Sequence, residues 1–112
     1  MRTVRGTVLV PAEARPGTGL MLVEARDVSV MDAPSVVVAE QRVPAARVEP
    51  GERLSFELAV PESDPGRSLS LRVHLSYDGT PTVSSGDAIS VVHIPIPAAG
   101  DVDDLEVSVR VI

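Results

Sequence analysis

Apolar and polar residues alternate along most of this chain. In Arg53–Val60, Leu54, Phe56, Leu58 and Val60 fall on one side, and Ser55 and Glu57 on the other. Ser68–Tyr77 repeats the pattern with Leu69, Leu71, Val73, Leu75 and Tyr77, and Asp104–Val111 does so again. A period of two over this length marks a strand with one wet face, because a helix would scatter the same residues around its circumference. Thr3–Val10, Leu20–Val30 and Asp87–Ile96 read as further strands with less regular alternation. Ser35–Arg42 contains Val36-Val37-Val38, a run that predicts burial on both faces near a sheet centre. A short piece at Thr82–Ser85 is expected to pair locally.

Punctuation supports this division. Val10-Pro11, Val43-Pro44 and Val60-Pro61 each close an apolar run at a proline, which has no N–H for the next ladder position. Pro16-Gly17, Pro50-Gly51, Pro65-Gly66 and Asp78-Gly79 are turn signals between runs. Pro95 and Pro97 would lack donors on the same side of a strand, so Val92–Pro97 is placed at a sheet edge blunted against aggregation. The competing reading is a rigid recognition segment. Ala45–Glu49 is the sole helical candidate and supports one turn at most. Strands at roughly ten-residue spacing with turns between them predict an all-β sandwich or barrel of seven to eight antiparallel strands.

Composition narrows the choices. A chain of 112 residues has room for one domain, spanning 1–112. With 44% hydrophobic residues it can build a core without disulfides, and it has no cysteine to form them. Thiolate zinc sites and cysteine nucleophiles are thereby removed. The net charge of −6 repels phosphate backbones, and the two aromatics, Phe56 and Tyr77, do not make a stacking platform. Nucleic acid is therefore excluded as a partner. All ten basic residues are arginine, as a GC-rich genome would produce. No apolar run is long enough for a membrane span. The opening Met1–Gly6 lacks a signal-peptide core, so the chain reads as cytoplasmic as written, or as periplasmic or envelope-associated if a leader has been removed.

Candidate chemistry is sparse. His74 lies between Arg72 and Ser76 on the polar face of its strand and is expected in solvent. His93 is expected at a rim, and a metal shared by the two histidines is not implied by their spacing. Asp101, Asp103 and Asp104 open like a calcium loop but lack its glycine and its closing glutamate, so a solvated turn is preferred. Ser84-Ser85-Gly86-Asp87 and Ser76-Tyr77-Asp78-Gly79 carry hydroxyls and carboxylates without a nucleophile elbow, and Asp78-Gly79 reads as a hairpin turn. Neither a dinucleotide fingerprint nor a phosphate-binding loop is present. No catalytic, cofactor-binding or metal residue is assigned, no cofactor is expected, and the chain is read as a non-enzyme.

One segment goes beyond pattern. Asp27-Val28-Ser29, then Asp32-Ala33-Pro34, then Ala39-Glu40-Gln41 form a strand, a corner and a second strand, with Asp27 and Asp32 suited to hold the corner. This segment resembles the YbaY-like lipoprotein family, related to the pilotin-type chaperones of type III secretion. Val4–Val8, Leu54–Leu58 and Asp78-Gly79 resemble its first strand, middle strand and later hairpin. The resemblance covers about residues 4 to 92. It implies an immunoglobulin-like β-sandwich and a binding or assembly role at the bacterial envelope, with no catalytic residues to transfer. The chain departs from the family in lacking a lipobox cysteine and in its few aromatics. The leading expectation is a chaperone-like domain that binds another protein at a strand edge or sheet face, with homo-oligomerisation left open. The alternative is a small-molecule-binding or accessory domain beside an enzyme. A hydrolase or lyase with an inward carboxylate in a sizeable pocket is the third and weakest.

Overall fold

In the computed structural model, residues 1–29, 34–62, 64, 66–92, 94–97 and 99–112 are described. The strands are β1 (Arg2–Leu9), β2 (Gly17–Asp27), β3 (Val36–Val48), β4 (Arg53–Val60), β5 (Leu69–Ser76), β6 (Ala88–Ser90), β7 (Pro95–Ile96) and β8 (Val102–Val111). They join in one path, β3-β2-β5-β6-β8-β1-β4, and β7 pairs with β5 beside it. The ends of the path, β3 and β4, lie against each other. Across that seam Glu57 N donates to Gln41 Oε1 at 3.1 Å. The sheet is thus nearly closed and barrel-like, and no helix is present among the described residues.

The all-β expectation and the strand number agree with this. The antiparallel expectation needs one correction, because β1 runs parallel to β8 while it is antiparallel to β4. Alternation specifies which face a residue takes, not which strand lies beside it or in which direction. β8 also changes partner along its length: Val102–Ser108 follow β1, and Val109–Val111 follow β6. It therefore links the two flanks of the sheet.

The interior is what alternation predicted. Val4 and Val8, Met21 and Val23, Phe56 and Leu58, Val73 and Leu75, and Val107 and Val109 come from the inner faces of five strands into one buried cluster. Gly6 sits among them because nothing larger fits. A Cβ there would lie 2.8 Å from Phe56 Cζ and closer still to Leu105 O. The Phe56 ring fills the space left by that missing side chain.

Several segments differ from the sequence reading. First, β3 runs straight through Val43-Pro44 to Val48, where a strand end and a helical turn at Ala45–Glu49 are expected. Gly19 pairs with Ala46 and Met21 with Val43, so β3 carries an extra residue there, and Ala45 has φ 58°. A bulge absorbs the proline, which an edge strand tolerates. Second, Val36 and Val37 are exposed, because β3 ends the path instead of occupying the sheet centre. Third, Asp87–Ile96 is two short strands rather than one, and Thr82–Ser85 forms no strand. Pro95 lies in β7, whose ladder among the described residues is with β5 alone, in keeping with the edge reading.

Candidate functional site

The outer face of β2 and β5 holds most of the buried polar groups. His74, expected in solvent, is fully buried. Its Nε2 lies 2.9 Å from Asp87 Oδ2, and its Nδ1 has no partner among the described residues. The correction has a topological cause. β5 lies between β2 and β6, and residues 77–87 fold back so that Asp87 reaches over its outer face. Asp87 also accepts from Ser84 N at 2.9 Å and Tyr77 N at 3.2 Å. A carboxylate and an imidazole at 2.9 Å are two of the three members of a hydrolytic triad, but this pair is sealed from substrate. It ties the 77–87 connection to β5.

That connection is further organised by Asp78, which accepts from Ser76 Oγ at 2.6 Å, Thr80 N at 3.1 Å and Thr80 Oγ1 at 2.9 Å. These bonds, the Ser76 one foremost, lower the Asp78 pKa to about 2. Asp78-Gly79 is therefore a turn, with Gly79 at φ 76°. Hydrogen bonds from Ser29 likewise hold Asp27 below the usual carboxylate value, with Arg67 adding to the effect. Asp27 thus binds a nearby backbone amide as expected, while residues 30–33 of the corner, Asp32 among them, and His93 lie outside the described residues.

The acidic cluster, expected as a solvated turn, is exposed but enters β8 at Val102, so Asp103 and Asp104 are strand residues. Val4 pairs with Val102 and Gly6 with Leu105, so β8 gains a residue between them. Asp104, at φ 60°, lies in that bulge, a conformation aspartate accepts more readily than most residues. Asp101 Oδ1 accepts from Thr3 N at 2.9 Å, and Asp103 lies 3.6 Å from Arg5 Nη1. No group of three or more His, Cys, Asp or Glu among the described residues is placed to hold a metal.

A second charged group was not singled out from the sequence. Glu24 and Arg72 face each other across β2 and β5, and Arg26 follows on the same face. Buried Glu24 Oε1 accepts from Arg72 Nη1 at 2.9 Å and from Arg26 Nη2 at 3.0 Å. Arg26 Nη1 donates to Ser35 Oγ at 2.8 Å. Each residue looks like an ordinary wet-face charge within its own strand. Only the β2–β5 register brings one carboxylate between two guanidiniums. Both arginines line an open groove of about 190 Å³ with Val28, Ser70, Val91 and Val92.

A larger concavity, about 640 Å³, lies on the opposite flank, lined by Arg5, Thr7, Gln41, Ser55, Glu57 and Asp103. It is open and polar. Neither recess encloses a small molecule, and both offer surface to a larger partner. No helix among the described residues is long and apolar enough to cross a membrane.

Comparison with curated proteins gives no match. Among solved structures, an alternative pilotin from the type II secretion system of Vibrio cholerae superposes with a TM-score of 0.68 at 23% identity, covering 97% of this chain and 96% of that one. At that identity the likeness speaks for the fold. A family model, that of the type III secretion system lipoprotein chaperone YscW, matches residues 1–102. The match supports the pilotin-type relationship, though not the YbaY-like family by itself, and over this length it shows that the chain belongs to the YscW family of type III secretion system lipoprotein chaperones.

Proposed function

We propose that this chain is a non-enzymatic, single-domain assembly chaperone that binds a protein partner at the bacterial envelope. The family match over residues 1–102 carries the reading. The geometry agrees with it. The His74–Asp87 pair is sealed, and the recesses are open surfaces suited to a macromolecule. A lipoprotein chaperone of a secretion system works at the envelope, which favours the envelope alternative over the cytoplasmic reading drawn from Met1–Gly6. Within the family we place the chain near the YbaY-like branch, on the strength of Asp27-Val28-Ser29 and Ala39-Glu40-Gln41. The immunoglobulin-like relationship belongs to the same proposal, and the split ladder of β8 supports it. The test is affinity capture with the tagged chain from envelope extracts of the native organism. A secretion-system component retained in fixed ratio supports the reading. Recovery of the bare chain alone under gentle extraction refutes it.

A further inference from the structure

We propose that the groove between the Glu24–Arg26–Arg72 cluster and the Val91-Val92 ridge receives an acidic, apolar segment of the protein partner, with a partner carboxylate bound by Arg72. The inference rests on the partner-binding reading and names the surface and the chemistry it recognises.

Charge comes first. Two guanidiniums share the one carboxylate of Glu24, so among the described residues the cluster is a local cation on a chain of net charge −6. Glu40, across from Glu24 on β3, is already paired with Arg42 at 3.2 Å. Every guanidinium nitrogen of Arg26 already donates: Nε and Nη2 to Glu24, and Nη1 to Ser35. Arg72 donates among the described residues through Nη1 only. Among the described residues its Nε and Nη2 have no acceptor, and its side chain is 27% exposed. A buried carboxylate on one side fixes the guanidinium, so little rotamer freedom remains to be lost on binding.

The apolar half of the groove has a backbone cause. β5 meets β6 at His74–Leu75 and β7 at Leu69–Ser70, and Val91, Val92 and Ile94 between them lie outside both ladders. Val73 N donates to Ser90 Oγ and Leu71 N to Ile94 O, each at 2.9 Å, so both amides are satisfied while Val91 and Val92 are pushed outward. Val91 is 56% and Val92 69% exposed. Two adjacent β-branched residues in water contribute nothing to this core and mark a contact surface. An acidic segment with apolar neighbours matches both halves. An anionic lipid surface would meet the same cation but would be repelled by the rest of the chain.

The probe is a fluorescein-labelled synthetic peptide of alternating leucine and glutamate, titrated into the intact chain and followed by anisotropy. A matching leucine–glutamine peptide serves as control. The glutamate peptide is expected to bind about tenfold more tightly than the glutamine one, and Arg72→Gln to remove that preference. Val91→Ser with Val92→Ser, exposed positions that leave the fold intact, should weaken both peptides. Equal affinity for the two peptides overturns the proposal, as does an unchanged preference in Arg72→Gln. Binding to phosphatidylglycerol vesicles in place of the peptide also overturns it and assigns the groove to lipid. If the double serine variant captures the native secretion component as well as the parent chain, this surface is wrong and the chaperone reading stands. If the peptide preference holds but nothing is captured, the groove stands and the chaperone reading fails.

Discussion

Removing the Asp87 carboxylate tests most directly how the outer face is held. In Asp87→Ala three donors lose their acceptor: His74 Nε2–H, Ser84 N–H and Tyr77 N–H. A buried donor left unsatisfied costs about 1–3 kcal/mol. His74 is fully enclosed and should cost near the top of that range, while the two amides are part-buried and reach water more easily. The sum is about 4 kcal/mol, a large share of a small domain's stability. At about 4 °C per kcal/mol for this size, the midpoint should fall by roughly 15 °C. Asp87→Asn keeps one oxygen, enough for His74 and Ser84 if it takes the Oδ2 position, and turns an amide donor toward Tyr77 N. It should lose about 1–2 kcal/mol. Urea unfolding followed by far-UV circular dichroism reads both variants, and the chain has no tryptophan to use instead. A loss in Asp87→Ala below about 1 kcal/mol would refute the argument, because His74 would then have another acceptor.

Gly6→Ala forces a methyl against Leu105 and Phe56 and should cost about 2–3 kcal/mol by overpacking, measured by thermal unfolding. A cost under about 0.5 kcal/mol would mean the Phe56 ring moves freely. Ala45→Gly relieves the left-handed backbone in the β3 bulge and should leave stability unchanged or up to about 0.5 kcal/mol higher, whereas Ala46→Gly should lose about 1 kcal/mol; equal losses would deny the bulge. Asp78 has its folded pKa lowered from 3.8 to about 2, so its stabilising contribution is present above the unfolded value and lost as pH falls through about 2. An NMR titration of its side chain with a midpoint near 3.8 would contradict the hydrogen bonds from Ser76 and Thr80.

Where a segment's fate depends on its own residues, the sequence sufficed. Arg53–Val60 is β4 to the residue, with Phe56, Leu58 and Val60 buried, because alternation and a following proline are local facts. Asp78-Gly79 turns where expected, though within the 77–87 connection and not as a tight hairpin, and Asp27 binds the Ser29 amide. Where the fate depends on neighbours, the reading failed. Val36-Val37-Val38 looks like a sheet centre until β3 proves to be the end of the path. Pro44 looks like a terminator until a bulge accommodates it. The candidate groove was illegible for the same reason: Glu24 and Arg72 are 48 positions apart, and Val91 and Val92 read as part of a continuous strand.

By itself, then, the chain's periodicity determined an all-β protein and the strands that build its core. Those properties follow from residue type and spacing alone. Tertiary structure decided the parallel β1–β8 pair, the near closure at β3 and β4, the burial of His74 under Asp87 and the meeting of two arginines on one glutamate. Each of these is a matter of strand order and register. A period of two fixes only which face a side chain takes, and many sheets satisfy it equally.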